Sequence, residues 1–215
     1  MISGKRLALL LLAISPTVAH AEAPTGKVGD ATAAVARFKR EAPMQEAFVE
    51  YRFSRFTRQP VKSLGELRYL GADQLVRAVR LPRPETSTIG QGMIRIERPG
   101  QKVRQVSLKR VPELQALLAS FTGLLGGDAA RLAPLFTLDF TESATGFTLK
   151  LTPRAAAMQK RISHIDVLGA GSTVSCLVFA EPDREQSIVL LGAKATSVAE
   201  GVMDAPALLT FCRLP

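Results

Sequence analysis

The chain has 215 residues, 47% of them hydrophobic, and a formal net charge of +9. Its length holds one domain with a core or a cavity, and it shows no internal repeat, low-complexity tract or linker that would divide it. Two cysteines allow one disulfide at most, too few for a multi-disulfide framework.

Residues 1–21 read as a secretory signal. Lys5 and Arg6 form its positive end, residues 7–14 are an apolar run too short to span a bilayer, and Ala19-His20-Ala21 is a small-x-small cleavage pattern. Cleavage after Ala21 leaves 194 residues, 22–215, as a single exported domain of net charge +7, Lys5 and Arg6 having gone. No cysteine follows the apolar run to carry a lipid anchor, and no later run is long enough for a transmembrane helix. A bacterial periplasm is the expected compartment. In an exported protein, positive charge points to anionic lipid headgroups or an acidic protein rather than nucleic acid, unless it serves only solubility.

Residues 22–29 are a leader of small side chains. Asp30 caps a helix through Ala31, Ala34, Val35 and Phe38, closed off by Pro43. The period then changes from 3.6 to 2. Val49, Tyr51 and Phe53 share one face of a strand and Glu50, Arg52 and Ser54 the other. A turn is expected around Pro60 and Lys62-Ser63. Leu67 and Tyr69 alternate with Glu66 and Arg68, Gly71-Ala72-Asp73 turns the chain, and residues 75–81 form a third strand ended by Pro82 and Pro84. Ile94 and Ile96 alternate with Arg95 and Glu97, Pro99-Gly100 is a turn, and residues 103–109 return as a strand carrying Val106 and Leu108.

The longest helical stretch of the mature chain follows at residues 111–136. Leu114, Leu117, Leu118, Phe121, Leu124 and Leu125 recur at the spacing of one helix face. Pro112 suits the first turn, Gly126-Gly127 stops the helix, and Asp128 caps a second short one bearing Leu132 and leading to Phe136. Such a stripe is either a core helix on a sheet or a lid over an apolar cavity. Beyond it, residues 137–140 and 147–151 flank a polar turn as a hairpin, and residues 153–161 hold one helical turn. Residues 162–168, 173–180 and 187–191 are strands. Residues 194–198 and 208–214 are a candidate last strand pair. The sum is a mainly β chain with helices, an antiparallel sheet needing something apolar against its inner face. Only two helices are on hand to cover it, and a strongly curved sheet would enclose more space than they fill.

Chemistry-bearing motifs are missing. The mature chain keeps one histidine, His164, inside a predicted strand with no nucleophile nearby. Gly169-Ala170-Gly171-Ser172 lacks the order of a nucleophile elbow, and no phosphate-cradling glycine loop occurs. Glu66, Asp73, Asp139 and Glu142 would have to pair in space to cleave a glycoside, and no local pattern supports it. No catalytic residue, metal site or cofactor is assigned. Cys176 and Cys212 are either one disulfide, closing a loop worth at most ~4 kcal/mol, or two buried thiols.

Several stretches together resemble the LolA family of periplasmic outer-membrane lipoprotein carriers, in its divergent LolA-related branch. They are Phe48-Val49-Glu50-Tyr51-Arg52-Phe53 after a leading helix, and Lys62-Ser63-Leu64-Gly65-Glu66-Leu67-Arg68-Tyr69 with its G-x-L pattern. The helical stretch from Pro112 through Gly127-Asp128 to Leu135-Phe136 is similar too, as is Gly146-Phe147-Thr148-Leu149-Lys150-Leu151-Thr152-Pro153. The resemblance implies an incomplete antiparallel barrel with a helical lid over an apolar cavity. It implies a non-enzymatic carrier, monomeric, that shelters the acyl chains of a lipoprotein or other lipidated cargo. An inner-membrane donor complex and an outer-membrane acceptor are implied as partners. The cavity is expected to be lined by Val49, Tyr51, Phe53, Leu67, Tyr69, Ile94, Ile96, Val106 and Leu108. The lid's apolar face is expected at Leu114, Leu117, Leu118, Phe121, Leu124, Leu125, Leu132 and Phe136. One departure stands out: the family's lid-latching arginine falls at Gly71, with Arg68 or Arg77 as nearby substitutes. A lipid- or lipoprotein-sensing interaction domain on the same scaffold is the alternative, and an exported hydrolase the third.

Overall fold

The structure, a computed structural model, describes residues 27–71, 74–110, 112–198 and 204–214, with 27, 28, 112–117, 119 and 184 described by their backbone alone. The export signal and its cleavage site lie outside the described residues, as do Ala72 and Asp73 of the expected turn. Among the described residues, twelve strands form one sheet: β1 (Lys27–Val28), β2 (Met44–Phe53), β3 (Val61–Gly71), β4 (Gln74–Leu81), β5 (Glu85–Gly90), β6 (Met93–Glu97), β7 (Arg104–Ser107), β8 (Phe136–Ser143), β9 (Gly146–Pro153), β10 (His164–Ala170), β11 (Thr173–Ala180) and β12 (Gln186–Leu191). Their spatial order is β1-β8-β9-β10-β11-β12-β2-β3-β4-β5-β6-β7, with every neighbouring pair antiparallel. The meander β2–β7 runs out to one edge. The chain then crosses through α2 (Pro112–Gly126) and α3 (Ala129–Leu132), re-enters at β8 beside the other edge, and works back until β12 meets β2. The edges β1 and β7 stay unjoined, so the barrel is incomplete.

The main core lies on the inner face. Val35 of α1 (Ala31–Arg37), Phe38 at its C-cap, Leu132 of α3, and Phe136, Phe147, Leu149, Leu151, Val167 and Leu177 of the strands pack into one cluster. Phe38 stacks on Phe147 with ring centroids 4.7 Å apart. The caps follow the sequence: the Asp30 carboxylate accepts from the Thr32 N–H at 2.8 Å, and Asp128 accepts from the Arg131 N–H at 3.2 Å. Gly127 ends α2 with φ of 66°, and a Cβ there would sit 2.9 Å from that of Lys39.

The outer face holds a second core. Val49 and Tyr51 of β2, Cys176 and Val178 of β11 and Ile188 and Leu190 of β12 pack under α5 (Gly192–Ser197) and α6 (Ala205–Arg213). These two helices replace the expected last strand pair. Asp204 caps α6, accepting from the Ala207 N–H at 2.8 Å, and Pro206 sits in its first turn, a start signal that outweighs the apolar content of residues 208–214. Cys176 and Cys212 are disulfide-bonded, tying α6 to β11. One further expectation is corrected: Lys62-Ser63 belongs to β3 rather than to a turn. The strand β5, with its polar sequence ETSTIG, lies between β4 and β6, where the alternation indicates no element. A short α4 (Ala156–Gln159) supplies the helical turn expected near residue 156.

Candidate functional site: a cavity under the α2 helix

Between α2 and the inner face of the β2–β6 limb lies a cavity of about 520 Å³, within the range of small-molecule and cofactor sites. Strand alternation decides its lining. On β2 the inward set is Phe48, Glu50 and Arg52; β3 gives Val61, Ser63 and Leu67; β4 gives Leu75 and Arg77. Glu85, Ser87 and Ile89 come from β5, Ile94 and Ile96 from β6, Phe179 and Val189 from β11 and β12, and Leu118 and Phe121 from α2. Register stacks these residues in rows: Leu67 opposes Arg77, Arg77 opposes Ser87, and Leu75 and Ile94 both oppose Ile89. Room for Phe48 is made at Gly65, where a Cβ would lie 1.9 Å from the Ala78 carbonyl oxygen and 3.0 Å from the Phe48 ring.

The lining is graded. Leu75, Ile89, Ile94 and Leu118 are all buried at the α2 end, whereas Val61 and Arg52 at the far end are well exposed, Val61 at 48%. The cavity is therefore closed and oily beneath α2 and opens where β2 ends and β3 begins. Its charges are paired. The Arg77 guanidinium donates to Glu50 at 2.5 Å and lies 4.8 Å from the centre of the Phe48 ring. Glu85 accepts from Arg98 Nε at 2.7 Å and from the Ser87 hydroxyl at 3.2 Å, and Arg52 lies 3.5 Å from Glu181. Farther along the inner face of β2, burial pushes the Glu46 carboxyl above its ordinary range, with the Arg40 charge opposing.

The structure brings Leu67, Ile94, Ile96, Leu118 and Phe121 together around this space. Tyr69 and Leu108 are buried in the cluster that closes its inner end, and Leu125 packs against that cluster. Val106 opposes Ile94 one strand farther out and does not reach the lining. Val49, Tyr51 and Phe53 are corrected: they occupy the outer face, against α5 and α6, because the opposite parity of β2 faces the cavity. Leu124, Leu132 and Phe136 belong to the main core instead of the cavity roof. The side chains of Leu114 and Leu117 lie outside the described residues. Gly71 offers no side chain for a latch; Arg68 is exposed, and Arg77 is engaged with Glu50 inside the cavity. The polar lining residues Glu50, Arg52, Ser63, Arg77, Glu85 and Ser87 were not anticipated, since charge on alternate strand positions reads as a solvent face.

Among the described residues no cluster of His, Cys, Asp and Glu suits a metal ion, and no helix is long and apolar enough to cross a membrane. His164 is half-buried and lies 3.6 Å from Asp166, away from the cavity lining.

No curated protein matches the chain. Among solved structures it is similar to the LolA superfamily protein NE2245 from Nitrosomonas europaea, with 7% identity, a TM-score of 0.44, and coverage of 75% of this chain and 90% of that one. LprF from Mycobacterium bovis is similar at 11% identity with a TM-score of 0.36, covering 83% and 94% of the respective chains. The family described as outer membrane lipoprotein carrier protein LolA-like matches residues 23–214, nearly the whole sequence. The chain is a member of that LolA-like family.

Proposed function

We propose that this protein is a non-enzymatic periplasmic carrier that holds acyl chains in the cavity under α2. The observation that carries the reading is a mostly apolar space of about 520 Å³ roofed by Leu118 and Phe121, closed at one end and open at the other. Each methylene left in water costs ~0.8 kcal/mol, so a sixteen-carbon chain costs about 12 kcal/mol unless something covers it. A carrier must cover that surface and still release it, which favours a roof over a void rather than a filled core. The paired charges toward the mouth suit the polar junction of an amphiphile without imposing a net charge on it. The mature chain on this reading is one exported domain, residues 22–215, acting as a monomer. It takes lipoprotein or another lipidated cargo from an inner-membrane donor toward an outer-membrane acceptor.

The test is uptake of a fluorescent acyl probe, beside native mass spectrometry and lipid extraction of protein purified without detergent. Acylated molecules should co-purify. Leu118→Glu with Phe121→Glu should abolish probe uptake while circular dichroism still reports a folded sheet. Retained uptake in a folded double variant would sink the assignment of α2 as the roof.

A further inference from the structure

The open end of the cavity has a surface character of its own. The antiparallel meander puts the β2–β3, β4–β5 and β6–β7 connections side by side at one end of the sheet. At that end four large apolar side chains face solvent: Phe56 at 79% exposure, Val61, Leu81 and Val103. Segments 52–62, 80–85 and 97–104, which surround them, carry nine basic side chains against two acidic ones. The neighbouring β11–β12 loop neutralises some of this, with Glu181 near Arg52 and Asp183 near Arg55 at 3.5 Å each. Among the described residues, Arg58, Arg83, Lys102 and Arg104 have no acidic partner. Arg55 lies 4.9 Å from the centre of the Phe56 ring, so the most exposed aromatic is itself flanked by cations.

We propose that this end of the sheet docks on an anionic phospholipid surface, with Phe56, Leu81 and Val103 dipping among the headgroups and the unpaired cations meeting the phosphates. Charge complementarity selects an anionic partner. The arrangement of the apolar residues selects a bilayer over an acidic protein. They lie at separate places along this end, Phe56 in the β2–β3 connection, Leu81 at the last position of β4 and Val103 just before β7, each with a cation one or two residues away in the chain. That spread suits shallow insertion at several points, whereas a protein interface centres on one contiguous apolar patch. The docked orientation turns the exposed cavity residues Val61 and Arg52 toward the bilayer, so an acyl chain crosses between membrane and cavity with little exposure to water.

The test is co-sedimentation of the purified protein with vesicles of phosphatidylcholine alone or of phosphatidylcholine mixed with phosphatidylglycerol, all variants sharing the same N-terminus. Binding to the anionic vesicles is expected to be stronger by about tenfold or more and to weaken with salt. Phe56→Ser with Leu81→Ser, and separately Arg58→Glu with Arg83→Glu, should each lower it by about tenfold. Leu70→Ser with Met93→Ser, exposed residues at the opposite end, should leave it unchanged. Equal binding to both vesicles, or equal loss from the opposite-end pair, would overturn the proposal. So would binding to polyglutamate with no binding to either vesicle, which would assign the surface to an acidic protein. Acyl-probe uptake in vesicle-free solution, measured on the same variants, stays at the parent level if only docking is lost, so failure of the docking surface is distinguishable from failure of the carrier reading.

Discussion

Glu46 carries a carboxyl whose burial changes its chemistry. It sits on the inner face of β2 between Met44 and Phe48, and burial raises its carboxyl pKa despite the nearby Arg40. A raised carboxyl pKa means that the folded state holds the proton more tightly than the unfolded chain. The penalty for ionising Glu46 is therefore full above its folded pKa and disappears below the unfolded value near 4.5. Glu46→Gln is expected to raise the urea midpoint at pH 7, with the gain shrinking to nothing as the pH falls toward 4; equal gains at both pH values would contradict the assignment. The same strand shows why the site was only half legible. Val49, Tyr51 and Phe53 alternate with Glu50, Arg52 and Ser54, and in a sheet wet on one side the apolar set would face inward. Here α5 and α6 cover the outer side as well, so both faces are buried, and the face carrying charge is the one that lines the cavity. Polarity alone cannot tell a solvent face from the wall of an amphipathic cavity.

Among elements, those with strong local signals were readable and those defined by their surroundings were not. The stripe of α2, its stop at Gly126-Gly127 and the Asp128 cap all follow from side chains within the helix or next to it. The pairing of β5 depends on neighbours on both sides, because Thr86, Ser87 and Thr88 present no apolar alternation of their own. Helix α6 was legible in principle from Asp204 and Pro206, but its apolar residues read equally as a closing strand. Its position over β11 is fixed by Leu208, which is buried, and by the Cys176–Cys212 bridge across 36 residues. Loop-closure entropy assigns such a bridge up to ~4 kcal/mol. Cys176→Ala with Cys212→Ala should lower the unfolding free energy by about 2–4 kcal/mol in urea denaturation. Acyl-probe uptake should persist where the protein stays folded, since neither cysteine lines the cavity. An undiminished midpoint would mean that the packing of Leu208 alone holds α6 in place.

At the scale of the molecule, one continuous sheet has two unequal limbs. Strands β8–β12 are packed on the inside by α1 and α3, and α5 and α6 lie over β2 and β10–β12 on the outside. Strands β3–β6 face a cavity of about 520 Å³ where a core would otherwise be. Side chains lining a void lack partners on one side, so the second limb has less cohesion for the same number of backbone hydrogen bonds. Amide hydrogen exchange should divide the sheet accordingly, with β9–β11 exchanging near the global unfolding limit and β4–β6 opening at lower free energy. An acyl probe bound in the cavity stabilises only states in which the cavity exists. At a free concentration ~100 times its Kd, exchange through openings that abolish binding should slow by about 100-fold, or ~2.7 kcal/mol. That slowing should appear in β4–β6 and in α2 and leave β9–β11 changed only as far as global unfolding governs them. Uniform protection along the sheet in the empty protein, or a probe effect confined to β9–β11, would mean that the limbs do not differ in this way and that the ligand sits elsewhere.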